Sequence, residues 1–217
     1  MFDQNLELAP GAQWMLLSHN GKMIMEPNFD GSWTVRFLFA SKRDMILDIQ
    51  EGLSAKRCAG RMDWSIEKHS ILVARLMEIM FPEQEWGALG GLFHDDHEAY
   101  IGDIPSPVGR MLSRLEDTKK AISKGIREFL DFDFRFPERE IHMCDQIAWD
   151  LESAELLRFS PNDPFLIKHA PELVQRKRMG LHKMVKGYIP EIEDVFNNIR
   201  AGAYTFESEF RRLTTHS

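Results

Sequence analysis

Apolar residues recur at two different periods along this chain, and the change of period divides it. Near the N-terminus Met15-Leu16-Leu17 and Met23-Ile24-Met25 flank His19-Asn20-Gly21-Lys22. Asn-Gly between apolar runs predicts a small β-hairpin. An irregular stretch is expected through Pro27, Gly31 and Trp33, and Thr34 to Ala40 reads either as a short strand or as the lead-in to a helix. From Lys42 to Leu53 the apolar positions Met45, Ile46, Ile49 and Leu53 step by three and four, which is helical.

The helical period then dominates. Ser65 is placed to cap a helix running to about Phe81 and ended by Pro82. Its apolar stripe is Ile66, Val73, Leu76 and Met80, and His69 falls on that stripe, so its imidazole is expected to point inward. A further helix is predicted from about Pro82 to Tyr100, with Gly102 as its stop and Pro105 and Pro107 beyond. Met111 to Leu130 reads as an amphipathic helix, and Pro137 precedes one from about Glu138 to Phe159. Pro161, Pro164, Pro171 and Pro190 punctuate a tail with further helical segments. No internal repeat appears. The expected fold is mainly α, a helical bundle with a small N-terminal β-hairpin. It forms one domain: a hairpin extension over 1–40, a helical core over 41–160 and C-terminal helices over 161–217.

Polar residues inside those apolar patterns carry the chemistry. His94-Asp95-Asp96-His97-Glu98 lies in GLFHDDHEAYIGDIPSP, directly after apolar Leu92 and Phe93. A carboxylate buried there is costly unless paired or bound to a cation. In the helix from Glu138 the inward line passes through Ile141, Asp145, Ala148 and Glu152, which sets two acids on an otherwise apolar face. A lone His69 on an apolar stripe is more often structural than a ligand. Together, His69, His94, Asp95 and Asp145 offer two imidazoles and two carboxylates, a donor set suited to Mn, Fe, Co, Zn or Mg.

The order His69, then His94-Asp95, then Asp145 resembles the H…HD…D signature of the HD-domain phosphohydrolases, a helical superfamily of metal-dependent phosphomonoester and phosphoanhydride hydrolases. The likeness spans roughly Ile46 to Leu157. SIEKHSILVA and FHDDHEAYIGDIPSPVGRML are similar to segments of 5'-deoxynucleotidases and of phage-encoded HD nucleotide hydrolases. The resemblance implies an HD-type bundle in which those four residues bind a divalent metal. It implies catalytic roles for Glu98, one turn after His94, and for Asp103, and a phosphate contact for Arg57, with Arg61 and Arg110 as weaker substrate-binding candidates.

Departures accompany the likeness. Cys58 stands where deoxynucleotidases carry a tryptophan, and Arg57-Cys58-Ala59-Gly60 is closer to the phage group's arginine-x-x-glycine pattern. His97 stands where relatives have a small residue; it extends the site toward a second metal or, more simply, is exposed or supports a ligand. Trp64 is an aromatic wall or core. Glu152 orients a metal ligand or pairs with a base. The cluster Arg176-Lys177-Arg178, Lys183 and Lys186 reads as a solvated face.

The implied reaction is hydrolysis of a deoxynucleoside 5'-monophosphate to deoxynucleoside and phosphate. One alternative is a deoxynucleoside triphosphate triphosphohydrolase; others are a cyclic-nucleotide or alarmone phosphodiesterase and a non-catalytic nucleotide-binding scaffold. Composition narrows the partners. A net charge of −7 disfavours a sequence-independent grip on nucleic acid, while a local basic pocket still suits a small phosphorylated substrate. A homo-oligomer is implied by the resemblance. Two cysteines, no long charge-free apolar run and an acidic start lacking a basic leader point to a reduced, cytoplasmic protein without a membrane partner.

Overall fold

Antiparallel pairing accounts for the N-terminal pattern, and it extends further than a hairpin. A computed structural model describes residues 10–58, 64–104, 106–132, 135–156 and 189–215. β1 (Gln13–Leu16), β2 (Lys22–Pro27) and β3 (Trp33–Leu38) form a sheet in the order β1-β2-β3, with Trp14 opposite Ile24 and Ile24 opposite Arg36. The expected irregular stretch is the turn over 28–32, with only its ends, Pro27 and Trp33, paired in the sheet, and Thr34 to Leu38 is strand rather than the lead-in to a helix.

The first corner also moves by one residue. His19 and Asn20 carry φ of 52° and 58°, and the Gly21 N–H donates to the Ser18 carbonyl at 3.0 Å. Two successive left-handed residues make this a type I′ corner at His19-Asn20 rather than Asn20-Gly21. Gly21 is required for packing instead, because a Cβ there would lie 2.1 Å from the Phe39 ring.

α1 (Lys42–Ser54) starts at Ser41, whose side chain accepts from the Asp44 N–H, and buries Met45, Ile46, Ile49 and Leu53. α2 (Ile66–Met80) starts at Ser65, which accepts from the Lys68 N–H, and ends as expected at Phe81. Its buried surface is wider than a stripe, with Ser70 through Ala74 all enclosed. A helix buried nearly all round lies at the centre of a bundle.

The single helix expected over 82–100 is two short ones. α3 (Gly87–Leu92) begins after Trp86 in the left-handed region, and α4 (Glu98–Ile101) ends at Gly102 with φ 79°. Between them the chain turns through bonds that join residues three positions apart: Asp96 N–H to Phe93 O at 3.3 Å and Glu98 N–H to Asp95 O at 2.9 Å. Glycine weakens a helix by about 1 kcal/mol relative to alanine, and three glycines lie in α3. Close packing needs them. A Cβ on Gly91 would sit 3.0 Å from the Ala74 backbone, so α3 reaches α2 only without one.

α5 (Ser106–Gly109) is followed by α6 (Leu115–Leu130), which starts later than Met111 because Met111 and Leu112 lie exposed in a turn. α6 lies against β3, with Gly125 beneath the Val35 carbonyl where a Cβ would approach to 2.4 Å. α7 (Glu138–Leu156) matches its prediction as far as the described residues go. α8 (Ile189–Arg200) carries Pro190 in its first turn, and α9 (Phe206–Thr214) opens with a Thr205–Ser208 capping box. Pro161, Pro164, Pro171 and the 176–186 basic cluster fall outside the described residues.

Phe93 anchors the core, with its ring edge-on to Phe132, Phe206 and Phe210. Each fully buried aromatic or aliphatic side chain contributes about 1.5–3 kcal/mol. Because Phe93 precedes His94, this packing also fixes where the polar motif begins. No helix among the described residues is long and apolar enough to cross a membrane. Cys58 and Cys144 are free, as expected, and both are buried.

Candidate metal centre

Three helices bring the polar residues together. α2 packs on both α3 and α7, and α3 also packs on α7. His69 comes from α2, His94 and Asp95 from the turn after α3, and Asp145 from α7. Ligand atoms of His69, His94 and Asp95 lie within 4.8 Å of one another. Asp145 Oδ1 is 3.1 Å from His69 Nε2 and 3.9 Å from His94 Nε2. The four residues expected to meet do meet, although they are separated by up to 76 positions.

Each imidazole is held from its far side. His69 Nδ1 donates to Glu152 Oε1 at 2.8 Å, and Glu152 is wholly buried one helical line above Asp145. His94 Nδ1 donates to the Gly91 carbonyl at 2.8 Å. That bond places the remaining lone pair on His94 Nε2. This atom is buried and has no hydrogen-bond partner among the described residues, yet it faces Asp95 Oδ2 at 3.1 Å and Asp145 Oδ1 at 3.9 Å. An acceptor turned toward two carboxylates is stable only with a proton or a cation among them.

Electrostatics agree with that geometry. Burial opposes charge on His69, but the Glu152 and Asp145 carboxylates outweigh it and raise its pKa well above the ordinary value. His94 rises likewise, burial being outweighed by Asp95. Asp95 is held well below the usual carboxylate range by His94 despite its burial, and Asp145 is lowered through its bond to His69. The field of these carboxylates favours positive charge on the two buried imidazoles. The donor set of two nitrogens and two carboxylates fits a divalent ion.

Glu98 reaches this cluster by a different route from the one expected. His94 and Glu98 do not share one helix face, because the chain is in tight turns from Phe93 to His97. Those turns fold Glu98 back beside Asp95 and bury it to 7% exposure. Burial, then Asp95 and Asp103, pushes its carboxyl up to about 8. Asp103 is half-buried just past Gly102.

Arg57 is exposed, and its backbone bridges Ser65 at the start of α2. Its neighbour Cys58 puts Sγ within 4.8 Å of His69 and Glu152 ligand atoms, so the Arg57 backbone borders the cluster. Arg110 is exposed beyond α5, and Arg61 lies outside the described residues. Trp64 is core: it stacks on Phe196 at 4.8 Å and 10°. His97 is buried rather than exposed.

Two cations carry no signal in the sequence pattern. Lys56 donates from Nζ to the Glu98 carbonyl at 2.9 Å and also to the Ala99 carbonyl, tying α4 to the end of α1. Lys119 on α6 acts electrostatically on both His97 and Glu98. Asp96 is fully buried and accepts from the Ser123 hydroxyl, which locks the motif to α6. No protein-family model and no curated protein sequence matches this chain.

Proposed function

We propose that this protein is a metal-dependent phosphohydrolase of the HD type acting on deoxynucleotides, most simply releasing phosphate from a deoxynucleoside 5'-monophosphate. The observation that carries the reading is the buried Nε2 of His94, turned toward the Asp95 and Asp145 carboxylates beside His69. The order of those residues and the string HDDHEAYIGDIPSP support the family.

His69, His94, Asp95 and Asp145 hold the divalent ion. When bound, that ion lowers the pKa of a coordinated water and polarises a phosphoryl oxygen. Glu152 keeps the His69 Nδ1 proton in place, so Nε2 faces the ligand side, and the Gly91 carbonyl does the same for His94. Arg57 binds the substrate phosphate and offsets charge that grows on it. Glu98, buried beside Asp95, is the acid placed to donate a proton to the leaving oxygen. Asp103 stands just past Gly102 and acts electrostatically on Glu98.

The test is a panel of deoxy- and ribonucleotides incubated with the purified protein and Mn²⁺ or Co²⁺, with the phosphorus product identified. Release of inorganic phosphate from monophosphates is the expected result. Release of triphosphate moves the scissile bond but keeps the site. Hydrolysis of no nucleotide with either metal would overturn the enzyme reading in favour of a nucleotide-binding scaffold.

A further inference from the structure

Lys56 lies between two parts of the site and is bonded to both. Its carbonyl accepts from the Ile66 N–H at 3.1 Å, at the first residue of α2, and His69 follows within one turn of that helix. From the same residue the side chain crosses to α4, where Nζ donates to the Glu98 carbonyl at 2.9 Å and to the Ala99 carbonyl. One residue therefore reaches from the start of the His69 helix to the backbone that carries Glu98.

α4 needs such a tie. It has four residues, and a single helical turn is unstable by itself. The last carbonyls of a helix lack partners within it, and a lysine there supplies the donors. The fit is close. A Cβ on Gly52 would lie 2.6 Å from the Ala99 oxygen, so α1 rests directly on the α4 backbone. A Cβ on Gly102 would meet the Lys56 stem at 3.8 Å, which places that stem beside the turn into Asp103. Burial lowers the Lys56 pKa, and the Glu98 and Asp48 carboxylates oppose that fall.

We propose that Lys56 is a positioning residue for the Glu98 acid, fixing the α4 backbone against α1 and α2 so that the Glu98 carboxyl stays beside Asp95. The role rests on the hydrolase reading, because it bears on delivery of a proton to the leaving oxygen. Lys56 acts through Glu98. A displacement of about 1 Å in a reacting group costs on the order of 10²-fold in rate.

The experiment compares full-length wild type, Lys56→Met and Lys56→Arg, each with Mn²⁺, on deoxynucleotides and on p-nitrophenyl phosphate. A deoxynucleoside is a poor leaving group that needs the proton, whereas p-nitrophenolate leaves without it. Lys56→Met keeps an apolar stem and removes the donors. It is expected to lower kcat on deoxynucleotides about 10²-fold, with KM and bound Mn²⁺ unchanged and little effect on p-nitrophenyl phosphate. Lys56→Arg should restore most of that loss. In a Glu98→Gln background, Lys56→Met should cost nothing further. Amide hydrogen exchange at 98–102 should also quicken in metal-free Lys56→Met. Lys56→Gln takes its place should circular dichroism show Lys56→Met unfolded. Unchanged kcat, equal loss on both substrates, or a further loss on top of Glu98→Gln would each overturn the proposal while leaving the hydrolase reading intact. Wild type that hydrolyses neither substrate overturns both.

Discussion

Two partly buried clusters of charge lie along α2, and they are built to different rules. Toward α9, Arg75 bonds Glu209 Oε1 at 2.6 Å, while Arg212 bonds Glu78 at 2.7 and 2.9 Å and Glu209 Oε2 at 2.8 Å. Each of those four carboxylate oxygens meets a guanidinium N–H, and two positive charges match two negative ones. At the motif, Asp95, Asp145 and Glu152 crowd two imidazoles, and Glu152 Oε2 has no hydrogen-bond partner among the described residues. Burial alone therefore does not mark a functional site. The α9 network balances its charges within the protein, although Arg75 Nε is left without a hydrogen bond among the described residues, whereas the motif gathers more carboxylates than fixed cations.

The largest expected effects break the open cluster. His69→Ala and Asp145→Ala should each abolish tight binding of Mn²⁺ at the first site, read as metal content after dialysis; metal retained in both would sink the assignment. Glu98→Gln should lower turnover about 10²–10⁴-fold while the ion held by the two imidazoles stays bound. Unchanged kcat would remove Glu98 from the chemistry.

The closed network should respond in stability alone. Glu209→Ala leaves Arg75 and Arg212 without their shared partner and is expected to cost about 3 kcal/mol in denaturant unfolding, with metal content unchanged. A loss of metal there would mean that the two regions are coupled. Glu152→Gln sits between the two rules. It should weaken metal affinity about 10–100-fold by loosening His69, measurable by titration.

The smallest effect concerns a buried acid with neither a full network nor an ion. Burial pushes Asp48 up to about 6 from its ordinary value of 3.8. The folded state then keeps a proton that the unfolded chain has already released, so stability falls as pH rises between those values. Asp48→Asn should be more stable than wild type by about 1–2 kcal/mol at pH 7. The gain should vanish below about pH 4. A gain that is flat with pH would show that Asp48 titrates normally.

Much of the helical core was legible because it depends on local periodicity. Ser65 and the stripe after it located α2, and His69 on that stripe does point inward. The line Ile141, Asp145, Ala148 and Glu152 does face the core, since a helix repeats its face every turn. The same rule failed over 82–100, where close packing of Gly91 on Ala74 outweighs helix continuity. It failed in the first corner too, where the Phe39 ring claims Gly21 for packing.

The amino-acid order by itself determined which residues are acidic, imidazole or apolar at helical spacing, and so which side chains each helix would turn inward. Only the tertiary structure decided that α2, α3 and α7 meet at one end, that Lys56 ties down α4, and that His97 is enclosed beside Asp95 and Glu98. Periodicity is a property of neighbours three and four positions apart. Contacts across 76 or 83 positions depend on how whole elements pack, and no local pattern encodes them.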